Sequence, residues 1–154
     1  MKENFQISEN EQQLLAQIID SSPVPMFVID TDHNITFWNT ACENATGVLA
    51  CEAVGTNKAW HPFYLEERPT MADLIVDGRI DDMKSLYAGK FNRSTTAKDT
   101  WEAEDYFPHF PDGGRWLSFS ATVLKDKNGS IIGAVETLRD ITQQKLFEIE
   151  LKEK

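Results

Sequence analysis

The feature that most restricts the fold is an alternation in residues 115–125, Arg-Trp-Leu-Ser-Phe-Ser-Ala-Thr-Val-Leu-Lys. Leu117, Phe119, Ala121 and Val123 take every second position, with Ser118, Ser120 and Thr122 between them. Side chains along a strand point to opposite faces in turn, so this period of two predicts an antiparallel strand with one dry and one wet face. Asn128-Gly129 supplies a hairpin turn, and the almost wholly apolar run 131–138 reads as a central strand. A further strand is predicted over 101–109, before turn chemistry at Pro111-Asp112-Gly113-Gly114.

Upstream, 26–30 and 35–38 read as a second hairpin around Thr31-Asp32-His33-Asn34. Ser8 is placed to N-cap a first helix, with Glu11 as its capping-box partner and Leu14, Leu15, Ile18 and Ile19 as an apolar stripe; Ser21-Ser22-Pro23 ends it. A short helix over 39–46 ends at Gly47, and 48–59 holds a further helical turn. Pro62 bars regular helix from Trp60-His61-Pro62-Phe63-Tyr64. Met71, Leu74 and Ile75 share a helical face closed by Gly78; Ile80, Met83 and Tyr87 share another, closed by Gly89. Residues 90–100 are polar and read as loop. Two hairpins separated by helices predict an α+β fold: one five-stranded antiparallel sheet, its dry face covered by the middle helices.

The 154 residues fit one domain: a flanking amphipathic helix over 1–20, a core over 21–140, and the start of a C-terminal helix over 141–154. A net charge of −10 argues against a nucleic-acid surface, which needs clustered Lys and Arg. Cys42 and Cys51 form neither a disulfide framework nor a CxxC pair, so a reducing, cytoplasmic setting is the simplest expectation. No apolar run suits a membrane span, which leaves any anchor to a longer parent protein.

Four stretches, taken in order, resemble a PAS domain, a sensory module of bacterial signalling proteins. They are Ser21-Ser22-Pro23-Val24-Pro25-Met26-Phe27-Val28-Ile29-Asp30; Ile35-Thr36-Phe37-Trp38-Asn39 with Ala41-Cys42-Glu43 and Thr46-Gly47; residues 129–137; and Asp140-Ile141-Thr142. The resemblance spans roughly residues 12–145. Residues 60–64 and 68–75 are similar to PAS domains attached to histidine kinases. The resemblance implies a cupped sheet over a small cavity, homodimerisation through flanking helices, and an output domain in a longer chain. A histidine kinase is the first expectation for that output, ahead of a cyclic-dinucleotide enzyme or a transcription factor.

Trp60, Phe63, Tyr64, Tyr87, Trp101, Phe107 and Phe119 fall on elements that should face the concave side. Alternation places Asp105 with Trp101, Ala103 and Phe107, and an inward carboxylate needs a partner or a ligand. The expected pocket comprises Trp60, Tyr64, Arg68, Ile75, Met83, Tyr87, Asp105, Phe119 and Val135, for an unidentified small molecule. No Ser/His/Asp set, phosphate-cradling loop or carboxylate pair points to catalysis.

Asp30, Asp32 and Asn34 begin like a calcium loop, but Ile35 and Ala41 stand where that loop needs Gly and Glu. His33, His61 and His109 are scattered. The helix over 79–88, where heme-binding relatives carry their iron ligand, has no His or Cys. Cys42 lies in Asn-Thr-Ala-Cys-Glu-Asn, unlike the Asn-Cys-Arg-Phe-Leu-Gln of light-sensing flavin members. Metal, heme and flavin are therefore not expected.

At the exit, Asp140 is placed to N-cap the last helix with Gln143 three residues on, Ile141 to pack on the sheet, and Thr142 to complete the relay. Either Leu146 and Ile149, or Phe147 and Leu151, mark a coiled-coil seam, and Leu14, Leu15, Ile18 and Ile19 offer a dimer face. The functional expectation is a domain that binds a small molecule and/or dimerises and relays through its C-terminal helix. The alternative is a ligand-free dimerisation and relay module.

Overall fold

The computed structural model describes residues 8–87, 91–93, 99–110 and 113–153. Helix α1 (Glu9–Ser21) leads into the hairpin β1 (Met26–Asp30) and β2 (Ile35–Trp38). Four short helices follow: α2 (Thr40–Thr46), α3 (Ala50–Ala53), α4 (Met71–Val76) and α5 (Ile80–Leu86). Strands β3 (Phe91–Arg93), β4 (Thr100–Phe107), β5 (Arg115–Lys125) and β6 (Ile131–Asp140) complete the sheet, and α6 (Thr142–Lys152) leaves it. The strand order is β2-β1-β6-β5-β4-β3, antiparallel throughout.

Among the described residues the sheet has six strands, not the five expected. Phe91–Arg93, expected within a polar loop, pairs with β4 as an edge strand, Phe91 facing Ala103 and Arg93 facing Trp101. Three residues are too few to show a period of two, so pairing with β4 decides their state. Gly89, Pro111 and Asp112, expected to end α5 and to turn between β4 and β5, lie outside the described residues.

The alternation of β5 sets the core. Leu117, Phe119 and Ala121 are buried, as are Phe27, Ile29, Ala134 and Leu138 on the neighbouring strands. Met71, Leu74 and Ile75 of α4 and Met83 of α5 close over this face. Gly133 lets β1 and β6 come together, because a Cβ there would lie 2.2 Å from the carbonyl oxygen of Ile29. The opposite face carries hydroxyl pairs, Ser120 Oγ to Thr137 Oγ1 and Thr100 Oγ1 to Thr122 Oγ1, each at 2.8 Å.

Asn39 organises the entrance. Its Oδ1 accepts from the Cys42 amide, capping α2, and from the Met26 amide at the start of β1; its Nδ2 donates to the carbonyls of Ile19 and Val24. Ser8 caps α1 by accepting from the Glu11 amide. The body of α1 has no buried residue: Leu14, Leu15 and Ile18 are exposed and Ile19 is half-buried.

The exit corrects one expectation. Asp140 is the last residue of β6, paired with Leu117, and does not N-cap α6. The N-cap position falls to Ile141, which makes no side-chain cap bond and is buried against the sheet. Asp140 Oδ1 instead accepts from the Thr142 amide two residues on, which satisfies one of the helix's first amides from a strand position.

Candidate functional site

The concave face encloses a cavity of about 10 Å³, walled by Phe63, Tyr64, Tyr87, Phe107, Phe119 and Leu138, with Thr70 and Glu136 as its polar members. That volume is about the size of one water-sized probe. Glu136 is the least expected wall. It lies between Ala134 and Leu138 on the dry face of β6, opposite Phe27 on one side and Ala121 on the other. Its residue is 4% exposed, and its Oε1 accepts from the Ala72 amide at 2.9 Å. Among the described residues no hydrogen bond reaches Oε2. Burial pushes its carboxyl up to about 8; the Ala72 amide opposes the shift and the charge of Asp73 adds to it. At neutral pH Glu136 is therefore mostly a neutral acid, with a proton to donate.

Tyr64 and Tyr87 stand beside it. Burial pushes the Tyr64 hydroxyl up to about 12 against the opposing charge of Arg68, and burial pushes Tyr87 up as well. Arg68 lies over both rings, its Cζ 4.0 Å from the Tyr64 centroid and 5.0 Å from that of Tyr87. Its Nε and Nη2 are buried with no hydrogen-bond partner.

Outside this wall runs a cleft of about 350 Å³ whose lining includes His33, Trp60, Arg68, Pro69, Asp73 and Asp77. The strap 68–70 separates the two spaces: Arg68 and Pro69 line the cleft, and Thr70 lines the cavity. Thr70 caps α4, its amide and hydroxyl both donating to Asp73 Oδ2 at 2.8 Å. His33, in the β1–β2 turn with φ 70°, bridges from the other side; Nδ1 meets Asp73 at 2.8 Å and Nε2 meets Asp77 at 2.9 Å. Partial burial works against the charged ring, but the bonds and charges of Asp73 and Asp77 outweigh it and raise its pKa. Among the described residues no three His, Cys, Asp or Glu side chains are grouped to hold a metal ion. Asp30 serves its turn, accepting from the amides of Asp32 and Asn34.

The expected pocket residues divide. Tyr64, Tyr87 and Phe119 line the cavity; Arg68 does not, but lines the outer cleft and lies over the Tyr64 and Tyr87 rings. Trp60 belongs to the outer cleft. Ile75 and Met83 are core residues beside the cavity, not in its lining. Asp105 is half-buried on the inward register opposite Leu117; its Oδ1 accepts from the Tyr106 amide, and its charge bears on Tyr64. Val135 takes the opposite face from Glu136, level with Val28 and Thr122, because one step along a strand reverses the side chain. Glu136, Thr70 and the His33–Asp73–Asp77 bridge are additions. Alternation from Ala134 and Leu138 already places Glu136 inside, but His33 and Asp73 meet only through the fold.

Cys42 is buried in α2 away from the cavity wall, its thiol pushed up by burial and then by Glu136 and Glu43; Cys51 is exposed. His61 opens onto a separate cleft with Pro62 and Lys58.

At the exit the relay residues converge on Trp116 of β5. The Ile141 amide donates to the Trp116 carbonyl at 2.9 Å, and the Trp116 amide donates to Thr142 Oγ1 at 2.9 Å. Arg115 Nε stands 3.5 Å from Asp140 Oδ2. Lys145 bridges to Glu104 on β4 and lies 5.5 Å from the Trp116 ring centroid. Beyond it, Leu146, Phe147, Ile149 and Leu151 are exposed. Among the described residues no helix is long and apolar enough to cross a membrane.

Known structures share this architecture. The PAS domain of BvgS from Bordetella pertussis matches with a TM-score of 0.57 and 18% identity over 94% of this chain and 99% of that one. A PAS domain from Colwellia psychrerythraea matches at 0.55 and 20% identity over 86% and 98%. An RNA-binding Light-Oxygen-Voltage receptor matches at 0.63 and 16% identity over 99% of this chain but 39% of the receptor. At these identities the likeness speaks for the fold. The family model described as the PAS fold matches residues 19–146, most of the chain. By that match, and by an antiparallel sheet with short helices packed on one face over a small cavity, the chain belongs to the PAS-fold family, whose domains are sensory modules.

Proposed function

We propose that this domain senses a small molecule in the cavity beneath α4 and passes its occupancy through β6 and Asp140-Ile141-Thr142 to an output domain, a histidine kinase being the first choice. One observation carries the reading. An ionisable side chain, Glu136, sits in the wall of an aromatic-lined cavity with one carboxyl oxygen unpaired, on the strand that leads into the exit helix. Oε1 is taken by the Ala72 amide, and a ligand in the cavity could bond the remaining oxygen. A ligand shifts the domain only by binding one arrangement better than another, and Glu136 lies four residues before Asp140 on the same strand.

The reading takes neither heme nor flavin as its ligand. The described part of α5 offers no His or Cys, and Cys42 does not border the cavity. Native mass spectrometry and a visible absorption spectrum of the purified protein test this together with a thermal-shift metabolite screen. Sensing predicts a retained or added small molecule that raises the melting temperature. A ligand-free protein with no hit across broad libraries would sink it.

A second reading, a ligand-free relay, draws on the small cavity and the exposed stripes of α1 and α6. In it the domain works as a homodimer through Leu14, Leu15 and Ile18, with Ile19 fixing α1 to its own domain. Sedimentation before and after deletion of residues 1–20 separates the cases. A dimer that becomes a monomer supports the interface, whereas a monomer in both preparations rejects it.

A further inference from the structure

The unpaired nitrogens of Arg68 and the open oxygen of Glu136, on either side of the Tyr64–Tyr87 pair, specify a ligand chemistry, and the following rests on the sensing reading above. We infer that the cavity, once opened toward the neighbouring cleft, takes a compact carboxylate bearing a second polar group: the carboxylate pairs with the Nε–Nη2 edge of Arg68, and a hydroxyl or amino group on the same molecule meets Glu136.

The two nitrogens of Arg68 without partners are Nε and Nη2, and both are buried. Their N–H bonds leave the guanidinium on one side, parallel to each other. That edge matches the two oxygens of a carboxylate, and a bidentate pair of this kind is among the strongest hydrogen-bonded contacts proteins make. Nearby carboxylates do not fill it. Asp105 is close enough for its charge to bear on Tyr64, yet neither Nε nor Nη2 has a partner. Asp73 spends its oxygens on Thr70 and His33. The guanidinium rests on the rings of Tyr64 and Tyr87.

The same two rings border the cavity that Glu136 faces. Glu136 Oε1 is committed to the Ala72 amide, which leaves Oε2 toward the ligand. As a neutral acid it donates to a hydroxyl oxygen; beside an ammonium group it ionises and accepts. The tyrosine pair between Arg68 and Glu136 gives the site apolar walls, so the molecule that fits has polar ends and a short carbon frame. About 10 Å³ does not hold such a molecule. Binding therefore requires the strap 68–70 to move out toward the cleft, carrying the Thr70 cap with it. That displacement reaches the Ala72 amide and hence β6, which ties occupancy to the exit strand.

The test uses the 154-residue chain at pH 7, followed by calorimetry and by amide NMR. The probes are two- to six-carbon 2-hydroxy and 2-amino acids, their neutral amides, propionate, and inorganic phosphate. The inference expects acids to bind and to move the Ala72 amide resonance, with the matched amides weaker by about tenfold or more. Arg68→Lys keeps the charge but not the fork, and weakens every acid on the order of tenfold. Glu136→Gln keeps a donor for a hydroxyl but cannot ionise beside an ammonium group, so it weakens the amino acids while leaving the hydroxy acids and propionate close to unchanged. Equal binding of acids and amides, unchanged affinity in Arg68→Lys, or a preference for phosphate over every acid would overturn the assignment. Uncharged compounds from the thermal-shift screen that move Ala72 while all the acids are silent would overturn it and leave the sensing reading standing. Silence across both panels would remove both.

Discussion

The chain enters its sheet and leaves it through two junctions built in opposite ways. At the entrance one side chain does everything. Asn39 is fully buried and uses both faces of its amide, tying the last turn of α1, the start of β1 and the first turn of α2. At the exit the work is divided among the Ile141 amide, the Thr142 hydroxyl, the Asp140 carboxylate and Lys145, most of them part-exposed and most anchored on Trp116. A buried polar hub has no partly broken state of low energy. A spread of part-exposed contacts loses members singly, at modest cost each. In the proposed scheme the entrance fixes the domain and the exit moves.

The largest effect belongs to the entrance. Asn39→Ala strands the amides of Met26 and Cys42 and the carbonyls of Ile19 and Val24 together. Each unsatisfied buried group costs about 1–3 kcal/mol, so the loss in urea unfolding is expected near 4 kcal/mol. Asn39→Asp keeps the acceptor and loses the donors, and falls between. A loss under about 1 kcal/mol for the alanine variant would erase the contrast between the junctions.

Glu136 sharpens the comparison because it touches both sides, facing Phe27 on the entrance strand and preceding Asp140 on the exit strand. Its carboxyl titrates near 8 when folded against 4.5 as a reference. Between those values the folded chain holds a proton that the unfolded chain has lost, so stability falls as pH rises through the window. Glu136→Gln removes that slope. It is expected to be close to wild type at pH 4 and more stable at pH 9 by a few kcal/mol. His33, raised by Asp73 and Asp77, gives a smaller slope of the same sign. Its stabilisation is full below the unfolded value of 6.5 and is lost as pH rises through the higher folded one. The slope left in Glu136→Gln above pH 6.5 is therefore assigned to His33, and His33→Gln in the same background should flatten it. Parallel wild-type and Glu136→Gln stability curves would show that the carboxyl is not held neutral.

How far these features could be read from sequence follows from the range of the forces involved. The alternation of β5, the Asn128-Gly129 turn and the Ser8 cap are local, and each stands as read, except that Glu11 supplies only its amide to Ser8 and does not complete the expected capping box. β3 is not local, since its three residues are a strand only against β4. Glu136 was legible and hidden at once. The run 131–138 reads as apolar, yet strict alternation puts its one carboxylate on the dry face. The same rule turns Val135 outward, so the period of two was informative where overall hydrophobicity was not. Asp140 was recognised by its cap chemistry, but pairing with Leu117 keeps it in the strand, and the same carboxylate meets the helix from there. The His33 bridge spans 40 residues to Asp73, and nothing in either segment announces the other.

The smallest effect is the most telling for the exit. Thr142→Val keeps the branched shape and removes the hydroxyl that accepts from the Trp116 amide. The bond is part-buried, so a loss of about 1 kcal/mol is expected in global stability. Hydrogen exchange resolves more than that number. The early amides of α6 and the Trp116 amide should lose protection, while the amides of β1 and the Cys42 amide keep theirs, because the hub at Asn39 is untouched. Thr142→Ser retains the hydroxyl and should behave as wild type. If Thr142→Val instead lowers protection evenly through β1 and β6, the exit is as tightly coupled to the core as the entrance is. Occupancy of the cavity would then have no softer element through which to act, and a relay through α6 would need movement of the whole sheet.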